Sequence, residues 1–430
     1  MFRFTNLIIF EITRDCNLHC QYCLQTDKDK FAGEMIDFDL FKNIIDKIIQ
    51  EQILGMIRSN YSDLKLIFHG GEFLLAIKQG NFVKYLDYAY QRFKEFNVSV
   101  FLGTQTNGTL ITDDVIKIFD KYQIGIGLSL DGFDGDNLFR IKNQNASDNY
   151  YKSLLKKLDQ YKVEYGIINV ISKQNIDHLI EFEKYIRENT STRYTYLPLD
   201  DPHGNDDNEI YDQLFEKVYK RQIDDFVYGK KVDQKFTTKI SMTFYDMLAY
   251  HRNVYASGCF GKICGTAISM ISIRPDGKCG YCDRFVKDMP ENYVKFATSY
   301  DFLGIHQLKT AIHAAYCKND CILDKHCDFC RAQYICDYGC LSFTYSAKNK
   351  LEIEKRKVCD INLAIYDYIK DNLIELIKTM IIHNITIHFE EDFYEFKHEI
   401  VDLLFNNNII VQKEPDRNII KFQFKGENNG

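Results

Sequence analysis

The stretch Glu11-Ile12-Thr13-Arg14-Asp15-Cys16-Asn17-Leu18-His19-Cys20-Gln21-Tyr22-Cys23 carries three cysteines, separated by three residues and then by two. It follows the apolar run Leu7 to Ile12, which reads as a buried strand. Three thiolates in one short loop can hold three irons of a 4Fe-4S cluster and leave the fourth without a protein ligand, much as a catalytic zinc site keeps an open position. An open iron can take a substrate or a cofactor. A zinc knuckle or a trio of reduced core cysteines is the alternative that this spacing leaves open.

Further chemistry-bearing residues sit where strands should end. They are His69-Gly70-Gly71-Glu72-Phe73, Thr106-Asn107-Gly108, Ser129-Leu130-Asp131-Gly132 and Leu197-Pro198-Leu199. A glycine pair permits close backbone approach to a ligand, and Glu72 is placed to accept a hydrogen bond. Each is also an ordinary turn, Asn-Gly especially, so only their succession behind the cysteines carries weight.

The elements that must position these residues alternate. Strands are predicted at Leu7-Ile12, Leu64-His69, Val98-Gln105, Gly125-Leu130, Glu164-Ile171 and Arg193-Leu197. Helices are predicted between them at Asp39-Met56, Asn81-Phe96, Asp113-Tyr122, Asn149-Tyr161 and Asn175-Asn189, with Glu209-Tyr228 after the last strand. Alternating βα units predict a parallel sheet. Six such units predict a partial (β/α)6 barrel of TIM type, with its chemistry at the C-terminal strand ends.

The other eleven of the fourteen cysteines lie within residues 259–359. Twelve residues separate Cys264 from Gly277 and four separate Gly277 from Cys282; Cys327-x2-Cys330-x5-Cys336-x3-Cys340 then leads to Cys359. With Cys259 the set is eight, enough for two four-thiolate sites, whether iron-sulfur or zinc. Cys279, Cys317 and Cys321 are left over, Cys279 close enough to Cys282 to be a substitute ligand.

The first cysteine loop, with the aromatic Tyr22 before its last cysteine, resembles the signature of the radical S-adenosylmethionine (SAM) enzymes. The resemblance implies that SAM chelates the open iron and that one electron from the cluster cleaves it to methionine and a 5'-deoxyadenosyl radical. Gly70-Gly71-Glu72 resembles the Gly-Gly-Glu-Pro motif that holds the SAM amino group, with Phe73 in place of proline. Ser129 and Arg140 resemble the serine and arginine that contact SAM, Arg140 at its carboxylate. Asn107 and Leu197 are expected to line the same mouth.

The later spacing resembles the SPASM domain of enzymes that modify peptides and proteins. That resemblance implies one auxiliary 4Fe-4S cluster on Cys259, Cys264, Cys282 and Cys340, and a second on Cys327, Cys330, Cys336 and Cys359. Asp283, next to Cys282, resembles the carboxylate proposed to take a substrate proton in anaerobic sulfatase-maturating enzymes; the same residue can equally cap a turn or pair with Arg284.

Composition bounds the rest. A chain of 430 residues with 45% hydrophobic and 27% charged residues is globular and long enough for several domains. The net charge of -7 mixes both signs, so no basic nucleic-acid face is expected. No secretion signal and no apolar run near the ~20 residues of a membrane helix is seen, which predicts a cytoplasmic protein. Fourteen cysteines in that compartment point to metal ligation rather than disulfides.

The expected division is a radical SAM core over 5–235, a SPASM domain over 236–365 and a small α+β appendage over 366–430. In the last, a helix over 361–383 precedes strand Thr386-Phe389, helix Asp392-Phe405 and strands Ile409-Lys413 and Ile419-Phe424. The expected function is oxidative modification of a ribosomally made peptide, giving a thioether or carbon-carbon crosslink. Formylglycine formation on a sulfatase and a zinc-binding scaffold are the alternatives. Cosubstrate and partners would be SAM, a precursor peptide or sulfatase, and an electron donor such as flavodoxin or ferredoxin.

Overall fold

The computed structural model describes residues 7–20, 22–23, 34–53, 64–78, 82–133, 135, 140, 147–172, 175–198, 213–228, 240, 243–244, 247–251, 270–280, 294–295, 330–332, 357–385, 387–388, 393–414 and 419–426. These fall into two compact units. One holds the described residues up to 198 together with 270–295, and the other holds 213–251 and 330–426.

The first unit is built on a sheet in which six strands are parallel neighbours in chain order. They are β1 (Leu7–Thr13), β2 (Leu64–Gly70), β3 (Val100–Thr106), β4 (Ile124–Ser129), β5 (Tyr165–Ile171) and β6 (Arg193–Pro198). Helices return the chain between them: α1 (Phe38–Ile53), α2 (Phe73–Lys78), α3 (Phe82–Glu95), α4 (Asp113–Tyr122), α5 (Asp148–Tyr161) and α6 (Leu179–Asn189). Alternation sorts the side chains. Ile8, Phe10 and Ile12 on β1 and Leu64, Leu66 and Phe68 on β2 are buried, and Phe10 stacks on Phe41 of α1 at 5.3 Å. In α1 the buried Phe41, Ile44, Ile45, Ile48 and Ile49 recur at helical spacing, so one stripe covers the sheet. Phe68, Phe73, Phe82 and Tyr85 complete an aromatic cluster, and the Tyr85 hydroxyl donates to the Ile36 carbonyl at 2.8 Å. The opposite face at the strand ends carries Glu11, His69, Gln105 and Ser129, with Glu11 and His69 register partners.

Capping sets the helix starts. Thr112 accepts from the Val115 amide and Ser147 from the Tyr150 amide, which begins α5 at Asp148 rather than Asn149. Helix α6 starts at Leu179, not Asn175, because Asn175 spends its side chain on the Ser172 amide and the Val170 carbonyl. Helix α2 has no counterpart among the predicted elements. At six residues it is too short to show periodicity, and the burial of Phe73, Leu74, Ala76 and Ile77 holds it.

The sheet also extends beyond the six predicted strands. Strand β8 (Met270–Ile273) runs parallel to the free side of β1, Leu7 opposite Met270, and antiparallel β9 (Lys278–Gly280) and β10 (Val294–Lys295) follow outward. Only tertiary pairing makes the short run at 270–273 a fully buried strand.

The second unit contains a π-helical turn (Phe215–Lys220) running into α7 (Arg221–Val227), where a single helix over 209–228 was predicted. It also holds β7 (Ala249–His251), α8 (Lys357–Asp371) and α9 (Leu373–Ile382), then β11 (Ile387–His388), β12 (Phe393–Phe396), α10 (His398–Asn406), β13 (Ile409–Glu414) and β14 (Ile419–Phe424). The predicted helix over 361–383 is broken at Asn372, whose side chain bonds the Tyr368 carbonyl at 2.9 Å. The predicted helix over 392–405 begins only at His398. Its first residues form β12, paired antiparallel with β7, so strand pairing overrides the local helical pattern. Among the described residues no helix is long and apolar enough to cross a membrane.

Candidate functional site

The loop after β1 is set by backbone contacts before any side chain acts. The Gly71 amide donates to the Thr13 carbonyl at 2.8 Å and the Glu72 amide to the Asp15 carbonyl at 2.7 Å. A Cβ on Gly70 would lie 1.9 Å from the Thr13 oxygen, and one on Gly71 2.0 Å from the Asp15 oxygen. Gly70 also has a φ of 141°. The glycine pair is therefore required by approach of the cysteine loop's own backbone, where the sequence suggested approach to a ligand. On the loop's other side Arg14 forms a two-pronged pair with Glu34, Nε and Nη2 each 2.6 Å from a carboxylate oxygen, and Thr13 Oγ1 donates to the Glu34 carbonyl.

Cys16, Cys20 and Cys23 are all half-buried on this loop and none is in a disulfide. The Leu18 amide points at Cys16 Sγ at 3.4 Å, Cys20 Sγ lies 3.9 Å from the Arg140 carbonyl, and the Cys23 amide donates to the Cys20 carbonyl at 3.1 Å. Three thiols on one pinned loop, with a peptide N–H aimed at one sulfur, suit ligation of a 4Fe-4S cluster. Among the described residues no three His, Cys, Asp or Glu side chains are gathered for a single metal ion; a cluster distributes three thiolates over three irons instead.

Glu72 is 1% exposed and fully engaged. Oε1 accepts from Thr106 Oγ1 at 2.7 Å and the Leu74 amide at 3.1 Å, and Oε2 from the Asn107 amide at 2.8 Å. Burial pushes its carboxyl above the usual carboxylate range, and these three donors offset that only in part. Asn107 carries the linkage onward: its Nδ2 donates to Asn17 Oδ1 at 3.0 Å, while Asn17 Nδ2 donates to Thr109 Oγ1 at 2.8 Å. Glu72 and Asn107, expected beside the cofactor, thus tie the end of β3 to the cysteine loop.

Ser129 receives a 3.4 Å hydrogen bond from Gln105 Nε2, and Gln105 Oε1 lies 3.1 Å from His69 Nε2. Tyr22, whose hydroxyl burial holds well above its ordinary pKa, donates to Asp131 Oδ2. Arg140 pairs with the same oxygen at 2.7 Å, and its guanidinium lies 5.2 Å from the Tyr22 ring centre. Leu197 is at the C-terminal end of β6, in register with Val170. The structure thus brings Tyr22, Gly70, Gly71, Glu72, Asn107, Ser129 and Arg140 to the strand-end side of one sheet.

Cys330 is half-buried, and the following Arg331 pairs with Asp367. Cys359 lies in the backbone of α8, and Cys279 in β9 opposite Ile273 and Val294. Cys259, Cys264, Cys282, Cys327, Cys336, Cys340 and Asp283, as well as Cys317 and Cys321, lie outside the described residues. Sequence reasoning assigned no role to Glu34, Asn17, Gln105, Thr109 or Asp131. Asp131 alone had a signal, its place two residues after Ser129; the others are brought in by contacts 20 to 92 residues away in sequence.

Residues 10–186 match the Radical SAM superfamily, and the chain carries a radical SAM domain. Among curated relatives it is 25% identical to a cysteine-type anaerobic sulfatase-maturating enzyme of Clostridium novyi, over 78% of this chain and 87% of that one. It is 23% identical to the enzyme of that description from Clostridium perfringens, over 86% and 98%. Among solved structures, anSMEcpe with bound AdoMet and Cp18Cys peptide superposes with a TM-score of 0.66 at 20% identity, over 87% of this chain and 99% of that one. Streptococcus suis SuiB bound to precursor peptide SuiA gives 0.55 at 15%, over 79% and 72%. Both structural likenesses are likenesses of fold. The family implies a 4Fe-4S cluster and SAM, and Cys16, Cys20 and Cys23 are the residues that would hold that cluster.

Proposed function

We propose that this protein is a radical SAM maturase of SPASM type that oxidatively modifies a ribosomally made peptide, forming a thioether or carbon-carbon crosslink. The observation that carries the reading is the cysteine loop clasped at the C-terminal strand ends by Gly71, Glu72, Asn107 and Asp131. With the cluster and SAM bound, the cofactor supplies a carbon radical able to remove hydrogen from an unactivated carbon. The chain's own residues hold the loop, offer Arg140 to the anionic end of SAM and shape the mouth through Ser129, Asn107 and Leu197. The SPASM cysteines Cys259, Cys264, Cys282 and Cys340, and Cys327, Cys330, Cys336 and Cys359, would hold two auxiliary clusters that receive electrons. Asp283 would accept the substrate proton beside the first of them.

Formylglycine formation on a sulfatase is the second reading. It is favoured by alignment over nearly the whole length of sulfatase-maturating relatives. Against it, Cys336-Asp337-Tyr338-Gly339-Cys340-Leu341-Ser342 lacks the Gly-Gly-Cys-Arg-Arg appearance common in those enzymes.

The test is anaerobic reconstitution of the natural chain and of a variant with Cys16, Cys20 and Cys23 all changed to Ala. The natural protein should carry about twelve irons and the variant about eight. The variant should form no 5'-deoxyadenosine from SAM and dithionite. Cleavage that survives in the variant removes the open-iron assignment; zinc in place of iron removes the enzyme reading.

A further inference from the structure

One carboxylate at the mouth of the sheet touches both the cysteine loop and the arginine expected to face SAM. Asp131 follows β4 by two residues and is 2% exposed. Its backbone oxygen accepts from Asn169 Nδ2 at 2.6 Å and Asn175 Nδ2 at 2.8 Å, and its Oδ1 from the Val170 amide at 2.9 Å. The residue is thus fixed by β5 and the turn behind it, independently of the loop. Its Oδ2 then meets the Tyr22 hydroxyl and Arg140 Nε, the latter at 2.7 Å. Tyr22 stands between Cys20 and Cys23, and the Arg140 carbonyl lies 3.9 Å from Cys20 Sγ. Among the described residues neither Nη nitrogen of Arg140 has a hydrogen-bond partner.

A buried guanidinium needs an anion, and the side of it that the anion takes decides which side is left to a ligand. Here Asp131 takes the Nε side and the Tyr22 ring takes a face, so the Nη edge remains for another anionic group.

We propose that Asp131 is a positioning residue for SAM. It presents the Nη edge of Arg140 to the carboxylate of SAM, and through Tyr22 it makes that presentation depend on the geometry of the loop holding Cys20 and Cys23. This rests on the radical SAM reading and on Arg140 as the carboxylate contact. Asp131 itself touches neither SAM nor iron; it acts through Arg140 and Tyr22.

Asp131→Asn keeps the size and shape of the side chain but removes the charge that holds Arg140, and its one acceptor oxygen can serve Val170 or Tyr22 but not both. SAM binding to the anaerobically reconstituted holoenzyme, measured by equilibrium dialysis, should weaken by about tenfold or more. Iron content should be unchanged, and the SAM-induced change in the reduced cluster's EPR spectrum should need correspondingly more SAM. Tyr22→Phe should weaken binding by about threefold in the natural background and have no further effect in Asp131→Asn, because both act on one oxygen. Unchanged affinity in Asp131→Asn, effects of the two substitutions that simply multiply, or loss of iron together with SAM binding would each overturn the proposal. The last would mark Asp131 as a residue of the fold alone. Failure of the natural holoenzyme to bind SAM would overturn the family reading and this inference together.

Discussion

Glu72 holds a carboxylate with almost no exposure against three protein donors, on a strand end where water is excluded. Burial raises its pKa above the ordinary 4.5, so the folded chain binds the proton more tightly than the unfolded chain does. Its contribution to stability is therefore fully present below the unfolded value and is lost as pH rises through the folded one. Glu72→Gln removes that titration. The stability difference between the natural protein and the variant, from denaturant unfolding, should be larger at about pH 4.5 than at about pH 7.5. A difference that grows with pH would mean that the fold prefers the ionised carboxylate. Because Glu72 also fixes the Asn107 amide, the variant should hold the Asn17 end of the cysteine loop less firmly.

At the scale of elements, the decisive contact is between two loops, those following β1 and β2. Two amide-to-carbonyl bonds join them at a distance that admits no side chain on Gly70 or Gly71. Gly71→Ala would drive a Cβ into the Asp15 carbonyl and force the loops apart. The expected cost is about 3 kcal/mol or more in stability, seen as a lower melting temperature, with loss of iron from the first cluster. Retention of full iron content would show that the cysteine loop tolerates displacement from β2. The same contact accounts for the short α2, which starts two residues after Gly71 and buries Phe73 against Phe68 at 5.5 Å. Proline at position 73, as in the motif this segment resembles, could not supply that ring.

For the whole molecule, the proposed thioether product and the sulfatase alternative differ in the fate of a substrate cysteine's sulfur. A thioether crosslink retains the cysteine sulfur in the product, whereas formylglycine made from cysteine loses it. Incubating the reconstituted protein with SAM, dithionite and cysteine-containing peptides, then reading products by mass spectrometry, separates the two. Sulfur retained in a modified peptide is the outcome expected from the proposed function; sulfur lost with formation of an aldehyde would move the assignment to sulfatase maturation.

The sequence by itself showed the likeness to radical SAM enzymes, the six parallel strands and three cysteines spaced as ligands after the first of them. These follow from local signals: fixed cysteine spacing and apolar runs of strand length. Tertiary structure decided how the site is held. That Gly70 and Gly71 serve the loop's own backbone, that Glu72 and Asn107 brace it, and that Asp131 joins Tyr22 to Arg140 all depend on pairings between distant segments, such as Asn17 with Thr109 and Tyr22 with Asp131. Residue type at one position does not encode its distant partner. For the same reason the strand at 270–273, too short to announce itself, is visible only once it lies beside β1. The spacing of Cys16, Cys20 and Cys23 was legible in the sequence, and only the fold shows what keeps their loop in place.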